Sequence, residues 1–193
     1  AGILLAAGLG ERFGGRKLLA TLDSGKTILE TTAAAMRAAL AHVTIVVRDD
    51  AELVSLAERI VRELDLRYIV NQHAGDGMAT SIVAGVSVSM SAAADADGWL
   101  IGLADMPFVL PSTYRDVAGN VRTPSSIVIP TYRGQRGHPV AFGRDYFDSL
   151  TKLSGDAGAR SIVQTFGAHV QELPVNDAGV LVDIDTKADL GRD

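Results

Sequence analysis

Seven short runs of β-type residues, at 3–6, 43–47, 66–70, 99–103, 126–129, 139–142 and 180–184, alternate along the chain with stretches of a different period. Several of these runs are apolar throughout, as in Ile3-Leu4-Leu5-Ala6, which is the pattern of a strand covered on both faces. Between them, Leu29, Ala33, Met36 and Leu40, then Leu53, Leu56, Ile60 and Leu64, then Ile82, Val86 and Met90 recur every three or four positions. Each set draws one apolar stripe along a helix. Strand alternating with helix predicts an α/β fold with three layers, α/β/α, around a largely parallel sheet with right-handed crossovers. At 193 residues the chain is expected to be one domain, 1–193. Ligands of such sheets bind beyond the carboxyl ends of the strands, so the chemistry is expected just after the apolar runs.

Composition narrows the function classes. With 47% hydrophobic and 21% charged residues the chain has enough apolar material for a core and is not a disordered one. It has no Cys, which excludes disulfides, thiolate metal sites and a Cys nucleophile, and fits a reducing, cytoplasmic setting. A net charge of −5 argues against a nucleic-acid partner, because phosphate attraction needs a concentrated positive surface. No segment reaches the roughly 18 apolar residues that span a bilayer. The apolar opening, 1–10, has no basic leader and runs straight into Glu11-Arg12, unlike a signal peptide. It also lacks an initiating Met and starts inside an expected strand, so both natural termini are expected to lie beyond the sequence.

Glycine is enriched, 20 of 193, and it clusters where the fold predicts a site. The first strand leads into Ala7-Gly8-Leu9-Gly10-Glu11-Arg12-Phe13-Gly14-Gly15-Arg16-Lys17. Small residues let backbone N–H groups approach an anion, Arg12 offers a rigid fork for phosphate, and Lys17 offers a movable point charge. A polyphosphate cradle and a glycine-rich turn with solvated basic residues read equally well. Two familiar motifs fail here. Gly8-Leu9-Gly10 does not complete a dinucleotide fingerprint, since position 13 is Phe. Ser24-Gly25-Lys26-Thr27 does not end a P-loop, since position 20 is Ala; it is expected to cap the following helix.

The fourth run ends in Ala104-Asp105-Met106-Pro107, which places a carboxylate just past a buried strand, either as a metal ligand or as a turn residue. Late in the chain, Asp183 and Asp185 stand at i and i+2, on one face if the run 180–184 is a strand. Mg²⁺ takes one or two carboxylates together with substrate phosphates, and Asp105 with Asp185 offers such a pair. Gly77 and Ser81 follow the third run at the start of a helix, a position that suits a ribose or an anion or, equally, a capped helix with Ser81 buried. Gly137-His138-Pro139 opens the sixth run; a lone His is more often structural than catalytic. Gly155-Asp156-Ala157-Gly158-Ala159-Arg160 reads as a glycine-rich loop opening a helix, with Asp156 as its cap. His42 and His169 stand in ordinary surface contexts.

Leu5-Ala6-Ala7-Gly8, Arg12-Phe13-Gly14 and Lys17-Leu18-Leu19 together resemble the signature of the MobA-like nucleotidyltransferases, with molybdenum cofactor cytidylyltransferase as the nearest branch. The resemblance runs over nearly the whole chain. It covers Ala104-Asp105-Met106-Pro107, where Ala104 replaces the family's Gly, and Asp183 to Leu190, where Lys187 replaces its Pro. It implies a mixed sheet of about seven strands and nucleotidyl transfer. A terminal phosphate of a molybdopterin-type acceptor attacks the α-phosphate of an NTP, and pyrophosphate leaves. On this resemblance Leu5, Ala6, Ala7, Gly8, Gly77 and Ser81 bind the nucleotide, and Arg12 and Lys17 hold its phosphates. Asp105 and Asp185 bind Mg²⁺, with Asp183 either behind them or capping a helix start together with Thr186, and His138, Asp156 and Arg160 face the acceptor. Ala7 resembles the cytidylyl branch, where the guanylyl branch has Gly, so CTP is the expected nucleotide. Three alternatives remain: another nucleotidyltransferase using GTP or a sugar phosphate, an NAD(P)H-linked reductase branch, and a non-catalytic partner of a molybdenum hydroxylase. Intact Arg12, Lys17, Asp105 and Asp185 argue against the last.

Overall fold

The computed structural model describes residues 1–10 and 13–191. One mixed sheet carries eight strands: β1 (Gly2–Ala6), β2 (Val43–Arg48), β3 (Arg67–Asn71), β4 (Gly98–Leu103), β5 (Ile127–Tyr132), β6 (Gln135–Arg136), β7 (Val140–Gly143) and β8 (Val170–Pro174). The order β3-β2-β1-β4 is parallel throughout, and β7 then pairs antiparallel with β4. β5 runs antiparallel to β7 at its start and to β6 at its end, while β8 lies parallel to it.

Helices cover both faces, as the apolar runs require. α1 (Ile28–Arg37), α2 (Ala51–Leu64) and α4 (Pro111–Gly119) bury Leu29, Met36, Leu53, Ile60, Tyr114 and Val117 against one face. α3 (Met78–Ala92), α5 (Phe147–Thr151) and α6 (Arg160–Thr165) bury Ile82, Val86, Leu150 and Ile162 against the other. The false P-loop ends in a capping box: Thr27 Oγ1 accepts the Glu30 N–H at 3.2 Å, and the Glu30 carboxylate accepts the Thr27 N–H at 2.7 Å. Asp50 caps α2 by accepting the Leu53 N–H, and this hydrogen bond is the largest influence holding its carboxyl below the usual range. Among the described residues no helix is long and apolar enough to cross a membrane.

One expected strand is absent. Residues 178–181 form a short 3₁₀ turn, and 182–185 continue without a ladder partner. The reason is that this segment bonds to two different elements rather than along one strand. Val180 C=O accepts the His138 N–H, and the Ile184 N–H donates to Asp105 C=O, each at 2.9 Å. The Asp177 carboxylate, 5% exposed, ties the segment's start to α4 by accepting the Leu110 N–H at 2.9 Å and the Thr113 hydroxyl. It also accepts the Gly179 N–H at 2.9 Å. Gly179 lies so close to Phe108 that a Cβ there would meet its carbonyl oxygen at 2.1 Å.

Candidate active site

The carboxyl ends of β1, β3 and β4 open into one cleft of about 710 Å³. Residues 7–10 together with Lys17 and Leu18 form one wall. Their loop is anchored by Phe13 and Leu18, both buried, so the Phe that spoils a dinucleotide fingerprint here pins the loop to the core. Gly10, Gly14, Gly15 and Arg16 all take positive φ. Lys17 opens a 3₁₀ turn at the loop's end and faces inward, its side chain 12% exposed.

Asp105 follows β4 directly. Its backbone is fixed by neighbours: Ala104 N–H donates to Leu5 C=O at 3.0 Å, and Thr32 Oγ1 donates to Ala104 C=O at 2.9 Å. Asp185 arrives from the far segment, beyond the Ile184–Asp105 backbone bond. The Lys17 ammonium lies against both carboxylates, 2.7 Å from Asp105 Oδ2 and 3.5 Å from Asp185 Oδ1. Asp183 and Asp156 also line the cleft, which thus holds four carboxylates and one lysine among the described residues. Arg12, the other cation expected here, lies outside them.

Two oxygen-only ligands that one ammonium touches at once have the chemistry for a hard divalent cation. Among the described residues no group of three or more His, Cys, Asp or Glu forms a self-sufficient metal site. A cation held by Asp105 and Asp185 therefore needs further oxygens, which a polyphosphate carries.

The opposite wall is the start of α3. Gly77 has φ 107° and ψ 165°, a conformation essentially restricted to glycine, and no side chain caps the helix there. A Cβ at Gly77 would meet Asp156 Oδ1 at 2.5 Å and the Gly155 carbonyl carbon at 2.6 Å. The loop around Asp156 thus lies directly on the helix start, and Ala79 N–H donates to Gly155 C=O at 3.1 Å. Gly77→Ala is expected to cost about 1–3 kcal/mol of backbone strain and to push the Asp156 loop aside. Urea unfolding measures the first effect, and protease sensitivity between 153 and 160 the second.

Leu5, Ala6, Ala7, Gly8, Gly77, Ser81, Lys17, Asp105, Asp156 and Asp185 all border this one cleft. Asp156, expected on an acceptor side, stands beside Gly77 on the α3 wall. Ser81 is buried and its Oγ accepts a hydrogen bond from Asn71 Nδ2 at 2.9 Å. His138 and Arg160 do not line the cleft. Arg160 is exposed at the start of α6. His138 sits behind the acids: burial pushes its imidazole pKa down, while Asp105 and Asp183 pull it up. Its Nδ1 is the one buried side-chain nitrogen or oxygen without a hydrogen-bond partner among the described residues.

Several supporting residues carry no sequence signal of their own. Arg48, at the end of β2, donates to Gly8 C=O at 2.7 Å and to Asp50 at 3.1 Å, which steadies the glycine loop. Asn71 holds Thr80 and Ser81 in place at 2.9 Å each. Asp189 accepts the Asp185 and Thr186 N–H groups at 3.3 and 2.8 Å, and so sets the backbone that presents Asp185.

This architecture has known counterparts. Nicotine blue oxidoreductase of Paenarthrobacter nicotinovorans is 29% identical over 203 residues, covering 99% of this chain and 94% of the relative. Purine catabolism protein PucB of Bacillus subtilis is 31% identical over 194 residues, covering 96% and 91%. Among solved structures, a nucleotidyl transferase from Methanothermobacter thermautotroptrophicus superposes with a TM-score of 0.78 at 25% identity, covering 97% of this chain and 92% of that one. The Mycobacterium tuberculosis H37Rv protein Rv0371c, in its complex with manganese, gives a TM-score of 0.72 at 29% identity, covering 97% and 94%. The model of the MobA-like NTP transferase domain matches residues 2–173. By its fold, its glycine-walled cleft and this match, the chain belongs to the MobA-like NTP transferase domain family.

Proposed function

We propose that the chain, as one transferase domain over 1–193, moves a nucleotidyl group from an NTP, with CTP preferred, onto the terminal phosphate of a molybdopterin-type acceptor. The observation that carries this reading is the Lys17–Asp105–Asp185 cluster on the floor of a glycine-walled cleft. An acceptor phosphate oxygen bonds to the α-phosphorus, the α–β phosphoanhydride bond breaks, and pyrophosphate leaves. The attacking oxygen is already ionised, so no general base is needed; positioning and charge neutralisation are what the protein supplies. Mg²⁺ held by Asp105 and Asp185 would neutralise charge on the phosphates. Lys17 and Arg12 hold the β- and γ-phosphates and meet the charge that develops on the leaving group. The backbone of Ala6–Gly8, steadied by Arg48, receives the nucleotide, and Ser81 supports the ribose side. Leu9 and Met78, 54% and 46% exposed at the cleft, offer apolar surface for a base to cover. His138, Asp156 and Arg160 remain the proposed acceptor residues. NTP consumption suits a cytoplasmic setting, with a molybdenum hydroxylase as the recipient of the product.

Ala7 carries the nucleotide choice. It lines the cleft and is 5% exposed; on this reading its methyl crowds the second ring of a purine more than a pyrimidine. One methyl in a pocket is worth about 10–200-fold in specificity. Pyrophosphate release measured with each NTP, with and without molybdopterin, is expected to favour CTP over GTP, and Ala7→Gly to lose part of that preference in kcat/KM. A native preference for GTP would overturn the cytidylyl reading. The similarity to nicotine blue oxidoreductase favours a second reading, an NAD(P)H-linked reductase on the same scaffold. Oxidation of NADH or NADPH without any pyrophosphate release would select it.

A further inference from the structure

Lys17 occupies the ground that a divalent cation bound by Asp105 and Asp185 needs. Its ammonium reaches both carboxylates, at 2.7 and 3.5 Å, and the side chains of Lys17, Asp105 and Asp185 are only 12%, 24% and 28% exposed. An ammonium held this way is itself a counter-ion of both carboxylates. A metal ion beside it would share the same oxygens and face a like charge at short range, in surroundings drier than bulk water. Lys is suited to leave, because its charge rides on a flexible four-carbon stem.

We propose that Lys17 and the divalent cation compete for Asp105 and Asp185, and that nucleotide phosphates decide the competition. The phosphates give the ammonium a new anion and give the cation the oxygens that two carboxylates lack. The protein alone then binds metal weakly, and nucleotide and metal each strengthen the binding of the other by the same factor. Only this second half rests on the nucleotidyl-transfer reading. The arrangement offsets part of the negative charge of the acidic floor between turnovers and makes the metal arrive with its substrate.

The test is Mn²⁺ affinity, read from the electron paramagnetic resonance signal of free aqueous Mn²⁺, in the full chain without nucleotide. Lys17→Met, which keeps length and removes charge, is expected to bind Mn²⁺ at least about tenfold tighter than the native protein, since a neighbouring like charge is gone. Equal or weaker binding overturns the proposal, because removing a competitor for the same carboxylate oxygens must tighten the metal. Should the variant not fold, acetylation of the native protein read by mass spectrometry decides. Mg²⁺ is expected to speed modification of Lys17 several-fold relative to Lys152, whose side chain is 75% exposed, and an unchanged ratio overturns the proposal. Adding CTP is expected to raise Mn²⁺ affinity more in the native protein than in Lys17→Met. A tighter-binding variant with no effect of CTP on either protein upholds the competition and refutes the nucleotide reading.

Discussion

Asp105→Asn is expected to lower metal-dependent pyrophosphate release by about 10²–10³-fold or more, the loss that follows removal of one aimed charge-stabilising group. The fold is expected to survive. Asp105 serves the architecture through its backbone, whose carbonyl accepts the Ile184 N–H, while its carboxylate meets Lys17. A partly exposed ion pair contributes only about 0–1 kcal/mol to stability, so the melting temperature should fall by a few degrees at most. Asp185→Asn should behave alike. Asp183→Asn should lose less, and an equal loss would reverse the order of the two acids. Turnover and calorimetric melting on the same preparations separate the chemical effect from the structural one; native turnover in Asp105→Asn would remove this cluster from the reaction.

Asp177→Ala is expected to have the largest effect on stability. The carboxylate is 5% exposed and serves three donors: the Leu110 and Gly179 N–H groups and the Thr113 hydroxyl. Alanine leaves all three without their acceptor. A buried donor stranded in this way costs about 1–3 kcal/mol, and water entering the adjoining pocket offsets part of it. A net loss of about 3 kcal/mol, or about 6–12 °C in melting temperature for a chain of this size, is the expected result. Turnover should fall further than the unfolded fraction accounts for, since Asp177 begins the segment that presents Asp185. A loss under about 2 °C would mean that the Gly179 contact and the Ile184 bond hold the segment by themselves.

The fold was legible wherever burial shapes a local pattern. Ile3-Leu4-Leu5-Ala6 is apolar because helices cover both of its faces, and Ser24-Gly25-Lys26-Thr27 marks the start of α1. β8 was not legible: Val-Gln-Glu-Leu-Pro is half exposed and shows no apolar run. The run 180–184 misled for the opposite reason. Val180 and Ile184 are fully buried, but beneath backbone groups of other elements rather than within a ladder. In the site, Ala7, Gly8 and Gly77 sit on glycine-rich turns past strands and Asp105 directly follows one, so the local sequence marks them. It does not mark Arg48, Asn71, Asp177 and Asp189. Each acts on backbone or side-chain groups of a particular fold, so its role has no signature in its own neighbourhood. The place of Asp156 beside Gly77 is likewise a contact across 79 residues, which no local reading supplies.

The two acids that meet at Lys17 differ in what anchors them. Asp105 extends from β4, which pairs with β1 on one edge and β7 on the other, so displacing it means breaking into the centre of the sheet. Asp185 hangs from a stretch fastened at discrete points, among them the buried carboxylates of Asp177 and Asp189, a backbone bond to each of two elements and a glycine contact. Local opening of such a stretch needs far less free energy than global unfolding. The cleft therefore has one jaw that keeps time with the whole protein and another that keeps its own.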